Sequence, residues 1–219
     1  MDKVLLVSGC SMTHGSETFN NFYHPENIKN SYSQHLANKL NVRLKNLAIP
    51  RASNEYIFHS ILKELYTTDN IHSIIVCWTT LGRLCWKCNG RYYFFGSQSV
   101  SSMEDILAFS TEKELMHQEF DNDVWITSDS QDLINNLKSV YKFFITDHFD
   151  EQEEELKLKD YQRTLDDICQ LRNIKLTQLT WGDLDVGSWW WNGRHPTRHP
   201  TKDEHKQIAD KLYSKHYEN

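Results

Sequence analysis

Three short apolar runs separated by two segments of helical period fill the first third of the chain, and this order constrains the fold more than any other feature. Residues 3–8 and 71–78 are apolar runs, the second rich in β-branched side chains, and residues 42–49 alternate apolar with polar. Each has the length and pattern of a strand. Between them, residues 31–40 set Tyr32, Leu36 and Leu40 at helical spacing behind Ser31, a suitable N-cap. The next segment opens at Ser53-Asn54-Glu55 and carries Ile57, Ile61 and Leu65 on one face. A strand–helix–strand–helix–strand series predicts an α/β fold in three layers, a parallel sheet with helices on both faces.

The rest of the chain extends this plan. Asn89-Gly90 lies between two strand-like runs in residues 86–95, a hairpin signal. Residues 98–135 are polar with weak helical patches, and helical spacing returns over 131–144. Residues 80–148 are therefore expected to form an irregular insertion or lid within one domain spanning 1–219. A charged helix is predicted over 150–172, with Leu156, Leu165, Ile168 and Leu171 as its buried face and the acidic run 150–155 at its positive end. Residues 174–179 read as a fourth strand of the sheet. Thr201 and Glu204 have capping-box spacing for a helix to about Tyr213.

Composition narrows the function classes. With 39% hydrophobic residues in 219, the chain can bury one proper core. A net charge of -6 argues against a nucleic-acid partner. No run approaches the roughly 18 apolar residues of a membrane span, and the apolar stretch 4–7 is too short for a signal peptide. The expected location is therefore cytoplasmic. Cysteines at 10, 77, 85, 88 and 169 are odd in number and scattered, as reduced thiols would be. The run Trp189, Trp190, Trp191 beside Arg194 and Arg198 fits either a core or the wall of a binding cleft.

The first strand leads through Gly9 and Cys10 to Ser11, with Gly15 closing the turn. Open parallel sheets bind their ligands at this carboxyl edge, and a glycine lets backbone amides approach a reacting group. On this evidence alone Ser11 is either an ordinary turn residue or a candidate nucleophile, and Gly-Cys-Ser by itself does not decide between them. His14, one turn on, is either an ordinary loop histidine or a neighbour of the site.

Several segments together resemble the SGNH/GDSL hydrolase superfamily, in the form found in bacteria and their viruses. Val-Ser-Gly-Cys-Ser-Met-Thr-His-Gly (7–15) is similar to the family's first block, with Cys10 where Asp usually stands. Asn-Leu-Ala-Ile-Pro-Arg-Ala-Ser-Asn (46–54) is similar to the second, and His-Pro-Thr-Lys-Asp-Glu-His-Lys-Gln-Ile-Ala (199–209) to the last. The resemblance implies a flavodoxin-like sheet and acyl transfer through an acyl-enzyme on Ser11. His199 would act as base and Asn54, beside the Ser11 N–H, as oxyanion donor. The implied substrate is an acyl or acetyl ester of a small molecule or carbohydrate, with no cofactor.

The chain departs from the family pattern at three places. Arg51 stands at the second block's glycine. After the third strand the sequence reads Trp78-Thr79-Thr80-Leu81-Gly82-Arg83 in place of the third-block Asn, leaving Thr79 or Thr80 to offer a hydroxyl and Arg83 to face an anionic group. Pro196 falls where an acid usually precedes the base by three residues. His195, with Asn192 at that spacing, is a rival base. The imidazole is left to Asp183, Asp185, a backbone carbonyl or a serine–histidine dyad. Gly9, Arg51, Thr79, Arg83, His195 and Trp191 make up the expected substrate side of the cleft.

Two other classes compete. A zinc site would draw on Cys85, Cys88, His195, His199 and His205, yet only one cysteine pair exists, and residues three apart in a strand face opposite ways. The same fold could also serve as a binding protein without turnover, or pass its acyl group to an acceptor other than water.

Overall fold

A computed structural model describes residues 3–19, 24–88, 91–95, 119–120, 123–124, 139, 143–184, 190–191, 195–196 and 199–218. In chain order the strands are β1 Val4–Ser8, β2 Arg43–Asn46, β3 Ile71–Cys77, β4 Leu84–Cys88, β5 Arg91–Phe95, β6 Glu119–Phe120, β7 Asp123–Val124, β8 Lys175–Leu179, β9 Trp190–Trp191 and β10 His195–Pro196. The α-helices are α1 Ser11–His14, α2 Tyr32–Leu40, α3 Asn54–Thr67, α4 Glu151–Leu171 and α5 Lys202–His216.

The central sheet has the order β2-β1-β3-β8, and every pairing in it is parallel. This is the flavodoxin-like order, in which the connections diverge at the carboxyl end of β1. β1 sits between two neighbours and under helices on both faces, so all five of its residues are buried. α2 packs against α5, and α3 against α4. With right-handed crossovers these pairs lie on opposite faces. One continuous core joins them, running from Leu5, Leu6 and Val7 through Tyr32, Leu36, Ile57, Ile61, Ile74 and Ile75 to Leu165 and Ile208.

The helix starts follow local chemistry. Ser31 accepts from Gln34 N–H at the head of α2, and Ser53 from Tyr56 N–H at the head of α3. Asp150 accepts from the N–H groups of Gln152 and Glu153 at α4. Thr201 and Glu204 complete a reciprocal capping box on α5, which runs on to His216. The hairpin expected around Asn89-Gly90 is present as the antiparallel β4–β5 pair, with Cys88 opposite Arg91.

α4 corrects one expectation. Its buried face comprises Leu165 and Cys169 with Leu158, Tyr161 and Ile168 alongside, whereas Leu156 is 60% and Leu171 88% exposed. Leu156 lies about 180° around the helix from Leu165, so leucine content suggested a face that the helical period does not allow. Most of the expected lid, and of the helix over 131–144, falls outside the described residues. No described helix is long and apolar enough to cross a membrane.

Candidate active site

β1 ends at Ser8, the chain turns through Gly9 and an extended Cys10, and Ser11 opens the single turn α1. Thr13 and His14 N–H groups bond the Cys10 carbonyl, while those of Gly15 and Ser16 bond the Ser11 carbonyl. Gly15 closes the turn in the left-handed region at φ 80°. Gly9 is required for space: a Cβ there would lie 2.2 Å from Thr13 Oγ1. Thr13 is fixed in turn by Tyr32 OH, 3.1 Å from its Oγ1, and by Asn46 Nδ2, which donates to its carbonyl.

His199 arrives from the other end of the chain, two residues before the N-cap of α5. Its Nε2 lies 2.8 Å from Ser11 Oγ and its Nδ1 lies 3.0 Å from Glu17 Oε2. A carboxylate can only accept, so this pattern assigns the proton to Nδ1 and leaves Nε2 to accept from the Ser11 hydroxyl. The bond to His199 holds the Glu17 carboxyl below the usual carboxylate range, against the opposing effect of partial burial.

Glu17 is the residue that sequence reasoning missed. It follows Ser11 in the same loop, at φ 70°, and that loop is tied down locally. Thr18 Oγ1 donates to the Gly15 carbonyl at 2.7 Å, and Phe19 N–H donates to Asn27 Oδ1 at 2.7 Å. Of the two acids expected beside the imidazole, Asp183 accepts from the N–H and hydroxyl of Thr180 in its own turn, and Asp185 lies outside the described residues. A left-handed non-glycine residue close after Ser11 is not visible in sequence.

Two further histidines stand close by, both fully buried. Burial, helped by nearby His199, lowers His14 to about 4. His205 is lowered to about 3, chiefly by burial and then by His35 and His199. Both rings are therefore neutral near pH 7. His205 Nδ1 accepts from the Tyr32 N–H at 3.2 Å.

The other expected site residues fall as follows. Asn54, the expected oxyanion donor, spans the Thr79 backbone: its Nδ2 donates to Thr79 O at 3.1 Å and its Oδ1 accepts from Thr79 N–H at 2.8 Å. Its amide clamps the loop after β3. The Thr79 and Thr80 hydroxyls have no partner among the described residues. Arg51 has φ 69°, and Ala52 N–H bonds the Ile49 carbonyl across it. Pro50-Arg51 thus forms the corner of a type II turn, the conformation glycine usually takes. Arg83 is buried, its guanidinium 5.1 Å above the Trp181 ring. Trp181 Nε1 donates to Cys10 Sγ at 3.2 Å, so a thiol accepts where the resemblance expects a carboxylate. His195 and Trp191 face one another as partners in the β9–β10 pair, and their side chains lie outside the described residues. Cys10, Cys77, Cys85 and Cys169 are free thiols.

No protein-family model matches the chain, and no curated protein matches it. Among solved structures it is similar to a member of the lipolytic protein G-D-S-L family from Veillonella parvula DSM 2008. That match has 11% identity and a TM-score of 0.38, covering 97% of both chains. It is also similar to an acetyl xylan esterase from the rumen bacterium Butyrivibrio proteoclasticus, at 13% identity and a TM-score of 0.38, over 97% of this chain and 64% of the other.

Proposed function

We propose that this protein is a serine hydrolase of esterase type, with Ser11 as nucleophile, His199 as general base and Glu17 as the acid that orients it. One observation carries the reading: His199 is bonded through both ring nitrogens at once, to Ser11 Oγ at 2.8 Å and to Glu17 at 3.0 Å. A hydroxyl, an imidazole and a carboxylate in that sequence of contacts make an activated nucleophile.

In the forward step His199 Nε2 takes the Ser11 proton as Oγ bonds the ester carbonyl carbon. The Nδ1–H···Glu17 bond stabilises the imidazolium that results. The same proton passes to the departing alcohol when the C–O bond breaks, leaving Ser11 acylated. Water, deprotonated by His199, then releases the acid and restores the serine. The oxyanion falls to the Ser11 N–H, which opens α1 and so has no acceptor within the helix. Asn54 serves this edge as a positioning residue through Thr79. Gly9, Arg51, Thr79, Arg83, Trp191 and His195 are assigned to the substrate side, and the substrate to acyl or acetyl esters of small molecules or carbohydrates.

The test is a fluorophosphonate probe with peptide mass spectrometry on the wild type, Ser11→Ala and His199→Ala, followed by hydrolysis of p-nitrophenyl acetate. An adduct on Ser11 that both substitutions abolish, with matching loss of hydrolysis, is the expected result. A folded wild type that forms no adduct would overturn the reading and leave a binding protein on a hydrolase-like fold.

A further inference from the structure

Ser11 and His199 lie 188 residues apart in sequence, on segments that share no strand pairing. Their 2.8 Å contact depends on how α5, which follows His199, is held against α1, which begins at Ser11. One residue reaches both. Tyr32 opens α2, is fully buried, and bonds α5 through its backbone and α1 through its hydroxyl. Its N–H is among those a helix start leaves without an internal acceptor, and here it donates to His205 Nδ1 at 3.2 Å. The two rings also stack, with centroids 6.1 Å apart. At the far end of the ring, Tyr32 OH is hydrogen-bonded to Thr13 Oγ1 at 3.1 Å. Thr13 in turn leaves no room for a side chain at Gly9.

We propose that Tyr32 is a positioning residue for the reaction, the middle of a His205–Tyr32–Thr13 bridge that sets the distance between the Ser11 hydroxyl and the His199 imidazole. This rests on the serine-hydrolase reading of the same site. Burial keeps both titratable members of the bridge in one protonation state near neutral pH: it lowers His205 to about 3, so Nδ1 stays an acceptor, and holds the Tyr32 phenol protonated. The Cys77 thiol contacts the Tyr32–Thr13 pair as well, so substitutions must spare volume.

Tyr32→Phe removes only the hydroxyl. With the fluorophosphonate probe, the maximal rate of Ser11 labelling is expected to fall about ten- to hundredfold, as small displacements of reacting groups do. The probe's half-saturating concentration should change little, and the melting temperature should fall by no more than the several degrees that losing one buried hydrogen bond explains. Thr13→Val, which cuts the same bond from the other side, should slow labelling equally, and the double variant should be no slower than either alone. Thr13→Ser keeps the hydroxyl and should restore the rate. Labelling of Tyr32→Phe and Thr13→Val at the wild-type maximal rate would overturn the bridge and leave the serine reading intact. So would a loss of melting temperature with an unaltered rate for the folded fraction. If Tyr32→Phe fails to fold, Thr13→Val alone decides between these results. Absence of labelling in the wild type would overturn the serine reading and the bridge with it.

Discussion

Glu17 and His199 meet across 182 residues of sequence, carboxylate oxygen to Nδ1 at 3.0 Å, and the carboxylate comes from the loop that begins at Ser11. Its side chain is 55% accessible while that of His199 is 13% accessible. The imidazole is therefore oriented from the solvent side, by a group that water and salt can reach.

Glu17→Gln should accordingly slow turnover of p-nitrophenyl acetate by about ten- to hundredfold, less than the ~10⁴-fold loss seen when a buried triad acid is made an amide. Raising ionic strength should narrow the gap between wild type and variant. The sign of the pH effect follows from the lowered Glu17 carboxyl. Its bond to His199 is complete above the ordinary glutamate range and is lost only as pH falls through the depressed folded-state value. Rates of the two proteins measured against pH should therefore differ at neutrality and converge in acid.

Arg51 holds a left-handed backbone at the corner of the Ile49–Ala52 turn. That conformation costs a non-glycine residue about 1–2 kcal/mol, and glycine's greater freedom in the unfolded chain offsets about 0.4–1 kcal/mol of any relief. Against Arg51→Ala, where the loss of the side chain is common to both variants, Arg51→Gly should be the more stable by about 0.5–1 kcal/mol on these figures, read as a higher urea midpoint. Arg51→Ala keeps the strain and should show no such gain.

Asn54→Ala removes both bonds to the Thr79 backbone. Leaving those groups unmet should cost about 1–3 kcal/mol. Asn54→Asp can still accept from Thr79 N–H but cannot donate to its carbonyl, so it should fall between alanine and wild type. Urea unfolding of the three proteins measures the order. An alanine variant as stable as wild type would remove Asn54 from the positioning role.

His205 and His14 are kept neutral in the folded protein, at about 3 and about 4, by burial first and nearby His199 among the lesser causes. Unfolded, both titrate near 6.5. The unfolded chain thus binds protons that the folded one excludes, so stability is full above about pH 6.5 and declines as pH falls. Well below that value each ring contributes a slope of about 1.4 kcal/mol per pH unit. His35 and Glu204 also face His205, so the difference between proteins is the useful quantity. Between about pH 6 and 4, His205→Gln should lower the slope of unfolding free energy by close to one proton. An unchanged slope would mean that His205 takes its proton while folded.

Much of this arrangement was legible in sequence because local signals and long-range packing agree. Ser31, Ser53, Asp150 and Thr201 announce the helices they cap, and the apolar runs fix a parallel sheet with Ser11 at its carboxyl edge. Leu156 and Leu171 misled because hydrophobic side chains off the buried phase of a long charged helix remain in solvent. Glu17 was hidden for a different reason. Orientation of an imidazole is a matter of distance, and sequence proximity to the base says nothing about a loop folded over from the opposite end. Asn54 carried a signal for its place in the second block but none for its clamp on Thr79.

The separation of the three groups along the chain also fixes when they can first act together. Ser11 and Glu17 leave the ribosome early, whereas His199 follows only after β8 has been made. A nascent chain therefore holds its serine without the imidazole that contacts it in the folded protein. On the proposed reading, chain order thus keeps Ser11 apart from its histidine until the segment leading into α5 is in place.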